Sequence, residues 1–304
     1  MVPQRLLPFR RGRALRFDRW CHQLPYRSSA HRLLWTERGL ACLVRAGWDR
    51  ALLSVDGASG IEARSPAGQR LMGLAATPAG DAVAIVHEHP DGARLATFGR
   101  APAARVYPER HYDVTLATDG ERIVLRGHLA PPTVLPWSLA ARTPWGGPCD
   151  GLASVQAVDG AVLVLSRTAA SLRAWDGAAI ATWPLPRPDA WLAAWHRATP
   201  VVFAGGELLL WDLASGRTRS LGAARSYPDG SVAPDGRWLV IDRVGPQGRG
   251  LELWDLREPA LVERLPTRGR ACTCAFSPDG AVLGVAIGDD LFLLRVDVPG
   301  VTVR

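Results

Sequence analysis

The sequence predicts an all-β chain folded as a single seven-bladed β-propeller of four-stranded antiparallel blades. Three observations predict it: a glycine-turn hairpin that returns about every forty residues, an independent third-strand repeat of the same period, and the near absence of helical periodicity. Apolar runs are short, rich in leucine and β-branched residues, and closed by Gly, Pro or Asp, as buried strands are. Short strands of this kind also suit a sandwich, but a sandwich supplies no reason for a forty-residue period.

The hairpin is plainest at two places. SVAPDGRWLVID at 231–242 is followed by LELWDL at 251–256, and CAFSPDGAVLGVAI at 274–287 by LFLLRV at 291–296. Each reads as an apolar strand, a Pro-Asp-Gly turn, a second apolar strand, a loop and a third strand. Glycine after Asp supplies the positive φ that a tight hairpin needs. The same turn falls at Gly39, Gly80, Gly120, Gly160, Gly236 and Gly280, with one double gap. His196-Arg197-Ala198-Thr199-Pro200 fills that gap as a turn without glycine. The third strands centre on Val55, Phe98, Trp137, Trp175, Trp211, Trp254 and Leu294, at intervals of 43, 39, 38, 36, 43 and 40 residues. A second turn and a polar fourth strand follow, as at 217–221 and 180–185.

Residues 1–30 read as an N-terminal extension and 31–304 as the propeller. A propeller protects its sheet edges by bringing its last blade against its first. Two segments are candidates for closing it: 13–18 as a strand added to the last blade, and Val301-Thr302-Val303 as that blade's own outer strand; for the N-terminal segment the alternatives are Phe9, Phe17 and Trp20 covering the rim, or a flexible arginine-rich arm.

Composition is that of an ordinary globular protein, with 47% hydrophobic and 21% charged residues. No run approaches the roughly 18 apolar residues of a membrane helix, and the arginine-bearing N-terminus has no signal-peptide pattern. The expectation is a cytoplasmic protein with no membrane association. Cys21, Cys42, Cys149, Cys272 and Cys274 are too few and scattered for a disulfide framework. Net charge is +7, and all 36 cationic side chains are arginine, which fits a coding bias as readily as a phosphate-binding surface.

Leu210-Trp211-Asp212-Leu213, Leu253-Trp254-Asp255-Leu256 and Ala174-Trp175-Asp176, with Ser-Pro-Asp-Gly at 277–280, resemble the WD40 family in its divergent bacterial form. The resemblance runs from His31 onward. It implies a propeller that gathers protein partners. The family's Gly-His pair is missing, so its internal hydrogen-bond tetrad does not carry over.

Candidate chemistry is sparse. His87 and His89 share a strand face and offer two corners of a metal site, but no third ligand is signalled, and a solvated strand end is the simpler account. Cys272 and Cys274 likewise share a face and read as buried thiols. Asp289-Asp290 lacks calcium-loop spacing. There is no Gly-x-Ser-x-Gly elbow and no phosphate loop. The innermost strands place apolar Leu74, Val114, Val155, Leu192 and Ala275 at the channel. No catalytic residue, cofactor or metal is expected. Trp175, Trp211 and Trp254 keep the blade period and read as packing between blades. Trp145, Trp183, Trp191 and Trp195 fall outside it, and with Arg217 and Arg219 they form the candidate partner-binding set. The expected function is a non-catalytic protein–protein scaffold, monomeric in isolation. An enzyme with a site in the channel and an arginine-dependent binder of nucleic acid or an acidic partner are the alternatives.

Overall fold

The computed structural model describes residues 9–16, 28–36, 39–46, 50–55, 61–64, 71–77, 79, 81–100, 102–107, 115–126, 133–140, 143–144, 154–158, 160–196, 199–225, 229–267, 272–287 and 290–296. Strand β1 (Phe9–Arg16) comes first. After it, strands pair with their chain neighbours in groups of four. The groups are β2 (Ser28–Thr36) to β5 (Ile61–Arg64), β6 (Leu71–Ala76) to β9 (Ala103–Tyr107), β10 (Thr115–Thr118) to β13 (Thr143–Pro144), β14 (Ser154–Val158) to β17 (Ala179–Pro184), β18 (Trp191–Ala194) to β21 (Thr218–Ala223), and β22 (Asp229–Val232) to β25 (Ala260–Pro266). The last sheet holds β26 (Cys272–Phe276), β27 (Val282–Ile287) and β28 (Asp290–Val296), and takes β1 as its fourth strand.

All described pairings are antiparallel. In five of these sheets the register is described across all three strand pairs. In the β2–β5 and β18–β21 sheets it is described for two of the three pairs. Five blades are thus described throughout, against the seven expected from the sequence.

The β14–β17 sheet grades from apolar to polar. β15 (Ala161–Leu165) is buried at every position, whereas β17 alternates exposed and half-buried residues. A strand covered on both faces reads as a continuous apolar run, and one at a wet edge does not.

The chain forms two compact units, residues 36–192 and residues 1–35 with 193–304. In the first, Leu95, Tyr107, Ile123, Leu135, Trp137 and Leu139 share one core between neighbouring sheets, and Val124, Val134, Val155, Val164 and Trp175 share the next. Val155, expected at the channel, therefore lies in that second core; Val114 falls outside the described residues. In the second unit, Leu239, Ile241 and Trp254 pack towards Leu208, Leu210 and Leu221, while Val240, Leu251 and Leu253 pack towards Cys274, Leu283 and Val285. The β22–β25 sheet is thus buried on both faces. In the same unit Trp35 Nε1 donates to the Ala275 carbonyl at 2.8 Å. β1 runs antiparallel to β28, from Phe9 opposite Val296 to Arg16 opposite Asp290, which covers that edge.

The expected turns join first to second strands. Gly120, Gly160, Gly236 and Gly280 all have positive φ; Gly80 lies outside the described residues. The turn without glycine also forms, with Thr199 N–H donating to the His196 carbonyl at 2.9 Å. His196 Nε2 lies 2.9 Å from the Pro234 carbonyl of the next turn, and therefore carries the proton there. A Cβ on Gly236, at φ +73°, would sit 2.7 Å from the His196 ring.

Gly236→Ala is expected to destabilise the protein by about 1–3 kcal/mol, combining the left-handed backbone with the ring clash. In a His196→Ala background the loss becomes smaller. Denaturant midpoints of the two single variants and the double variant check this; strictly additive losses would show that the ring does not resist the methyl group.

Candidate functional site

The six residues singled out for partner binding are taken one by one, each within its own unit. Arg217, just before β21, and Arg219, within it, are exposed; β21 is the outermost strand of its sheet and Leu221 anchors it in the core. Trp183 is half-buried on β17, opposite Ala170. Trp191, also half-buried, opens β18, the first strand of the following sheet, and half-buried Trp195 comes just after that strand. Trp183 and Trp191 belong to the 36–192 unit; Trp195 and both arginines belong to the other. Trp145 lies outside the described residues.

The periodic tryptophans are structural. Trp175, Trp211 and Trp254 are all buried. The aspartate that follows each one shapes a turn. Asp176 accepts the Ala178 N–H at 2.9 Å, Asp212 accepts the Ala214 N–H at 3.0 Å, and Asp255 accepts the Arg257 N–H at 3.0 Å. Trp-Asp thus joins a core anchor to an Asx turn.

His87 and His89 part company. His87 is 1% exposed, and neither of its ring nitrogens has a hydrogen-bond partner among the described residues. Burial, then the nearby charges of Arg94 and His89, pull its pKa from 6.5 to about 4. His89 is partly exposed, and its Nδ1 accepts the Asp91 N–H at 3.2 Å inside its own turn. Among the described residues no three His, Cys, Asp or Glu side chains converge as a metal site needs. Cys272 and Cys274 are buried free thiols. Burial pushes the Cys274 thiol well up, and its Sγ lies 3.3 Å from the Val240 carbonyl.

Sequence reading missed the charged groups of the hairpin formed by β23 (Trp238–Gly245) and β24 (Gly248–Asp255). On one face, Arg249 Nε donates to Asp242 Oδ2 at 3.0 Å, and the same oxygen accepts the Cys272 N–H at 3.2 Å. This hydrogen bond raises the Arg249 pKa further. On the other face, Glu252 accepts the Trp254 indole N–H at 3.0 Å. It also pairs with Arg243 Nη1 at 3.2 Å and Arg264 Nε at 3.3 Å. The available signal was a charge inside an apolar strand, in VIDRVG and LELWDL, where charges are rarely buried without a partner.

No protein-family model matches the chain, and no curated protein matches it in sequence. Its backbone is nonetheless similar to solved structures. One chain of the crystal structure of the mitotic checkpoint complex superposes with a TM-score of 0.67 at 12% identity, covering 97% of each chain. The WD40 β-propeller domain of Doa1 superposes with a TM-score of 0.63 at 11% identity, covering 96% of this chain and 97% of that one. The fold is a β-propeller of the WD40 kind. At these identities the likeness speaks for the fold alone.

His87→Phe tests the buried imidazole. An unfolded-state histidine takes up its proton near pH 6.5, whereas His87 in the fold resists it down to about 4. Its folded pKa is depressed, so stability falls as pH drops through that window, with a slope of at most about 1.4 kcal/mol per pH unit. The phenylalanine variant is expected to lose this slope. Thermal midpoints measured from pH 7 to pH 4 check it; identical acid limbs in both proteins would show that His87 is accessible to protons.

Proposed function

We propose that this protein is a non-catalytic scaffold that binds a protein partner on a seven-bladed WD40-like propeller. The carrying observation is the superposition on WD40-type propellers over nearly the whole of both chains. One of these similar chains comes from a structure titled as a complex. Seven blades follow if every four-stranded sheet counts as a blade, with β1 closing the ring as the outer strand of the last. The described ion pairs agree with a framework role. Arg237 pairs with Asp255 at 3.0 Å across the β23–β24 strand pair, Arg122 pairs with Asp119 at 2.8 Å within one turn, and Arg100 reaches Glu121 at 3.2 Å in the following sheet.

Binding falls to the exposed loops and outer strands, where Arg217 and Arg219 stand clear of such pairs as are described. Exposed arginine is well suited to an interface because its planar fork makes several directed hydrogen bonds. The same two residues serve a partner of opposite charge without disturbing the core.

The test is affinity capture from native lysate, followed by calorimetry with the purified partner. A 1:1 partner is expected, and Arg217→Glu/Arg219→Glu is expected to weaken it about tenfold or more while leaving the thermal midpoint unchanged. Recovery of no stoichiometric partner would count against the scaffold; undiminished binding by the double variant would move the interface off β21.

A further inference from the structure

Glu252 is a carboxylate shared by more cations than it can neutralise. Its side chain is 3% exposed, that of Arg243 11% and that of Arg264 15%. Two guanidinium groups and one carboxylate leave a residual charge of +1 in a largely desolvated place. Such a charge is unfavourable until a counter-anion meets it.

The arginines are held by the chain around them. Arg243 Nη1 donates to the Leu221 carbonyl at 2.8 Å. Its guanidinium lies against two glycines, since a Cβ on Gly222 would meet Nη2 at 3.5 Å and one on Gly245 would meet Nε at 3.6 Å. Its charge also lies over the face of Trp254, with Cζ 5.6 Å from the ring centroid. Arg264 donates to Gln247 Oε1 at 2.9 Å and to the Gly248 carbonyl at 2.7 Å. Yet neither Nε–H finds a hydrogen-bond acceptor among the described residues. Arg264 Nε approaches Glu252 only as an ion pair.

A third arginine stands beside them. Arg225 is exposed, and its backbone N–H is fixed to the Val244 carbonyl at 2.7 Å, at the tip of the same hairpin. Pro246, Gln247 and Gly248 at that tip are exposed as well.

We propose that the tip of the β23–β24 hairpin, with Arg225, Arg243 and Arg264, docks an acidic segment of the partner protein. A carboxylate of that segment supplies the missing counter-charge. Arg225 meets it first from solvent, and the pre-oriented Arg243–Arg264 pair receives it. The proposal rests on the scaffold reading and names the chemistry of its partner. Preorganisation favours it, because the rotamers of the two inner arginines are fixed before binding, and planar guanidinium groups suit carboxylates.

The probe is a capped, fluorescent hexaglutamate peptide, titrated by anisotropy against the full chain at about 50 mM salt, where Debye screening is weak. Hexalysine and an oligothymidylate of equal charge are the controls. Hexaglutamate is expected to bind, with an affinity that falls as salt rises, and hexalysine is not. Arg225→Glu is expected to weaken the peptide about tenfold, the effect of reversing one well-placed charge. Glu252→Gln is the sharper variant. It keeps an oxygen for the Trp254 N–H but removes the internal competitor, so the peptide is expected to bind several-fold tighter. A role confined to stability predicts a lower melting point and no gain in binding.

Absence of hexaglutamate binding, tighter binding of the oligothymidylate, or unchanged affinity in both variants would overturn the proposal. If the peptide fails while the captured 1:1 partner still binds, the acidic site falls and the scaffold stands. If both fail, both readings fall.

Discussion

Burial of sheets against their neighbours within each unit is the constraint from which the rest follows. A sheet such as β22–β25 buries Val240, Leu251 and Leu253 on one side and Leu239, Ile241 and Trp254 on the other. Neither core exists without the adjoining sheet, so a lone blade would expose both faces to water. At roughly 25 cal/mol per Å² of apolar area, that exposure exceeds what any single hydrogen bond returns. Repeat number, strand length and turn length are all subordinate to keeping these faces in register.

Turns are where the register is fixed, and they show how much of the fold the residues announce. The Asp-Gly turns and the periodic tryptophans were legible because each has one dominant physical cause, positive φ or a large buried ring. The turn at His196 was legible only by its place in the series; the structure adds that the His196 ring packs into the space left by Gly236. Trp137-Ser138-Leu139 was not legible in detail. Leu139 occupies the place that Gly177 holds after Trp175, and adopts φ 55°, where Gly177 has φ 92°. A leucine does not signal a left-handed turn. Its burial beside Trp137 and Tyr107, and the Arg105 guanidinium that donates to its carbonyl at 3.2 Å, hold it there.

The candidate site was less legible than the fold, for a related reason. Repetition reports what every blade needs, whereas a binding feature belongs to one blade and leaves no period. Trp183, Trp191 and Trp195 stood out because they break the period, but a broken period does not say what a side chain meets. Arg217 directly precedes β21 and Arg219 lies within it, where the polar run after the second turn had placed a fourth strand. The pairing of Glu252 with Arg243 and Arg264 depends on cross-strand register, Glu252 opposite Arg264 and Ile241 opposite Glu252, which the sequence does not state.

The two ion-paired faces of the β23–β24 hairpin show why local charge balance says more than net charge. Arg249 and Asp242 pair with each other, and the same carboxylate accepts the Cys272 N–H. The Glu252 face holds the same chemistry with one more arginine. Buried ion pairs are poor sources of stability, because desolvation offsets most of their attraction. An unbalanced triad does worse than a balanced pair unless something outside the chain completes it. A chain with 36 arginines has ample means to place positive charge in water. Two of them placed instead around one buried carboxylate separate this corner of the sheet from the general arginine content of the surface.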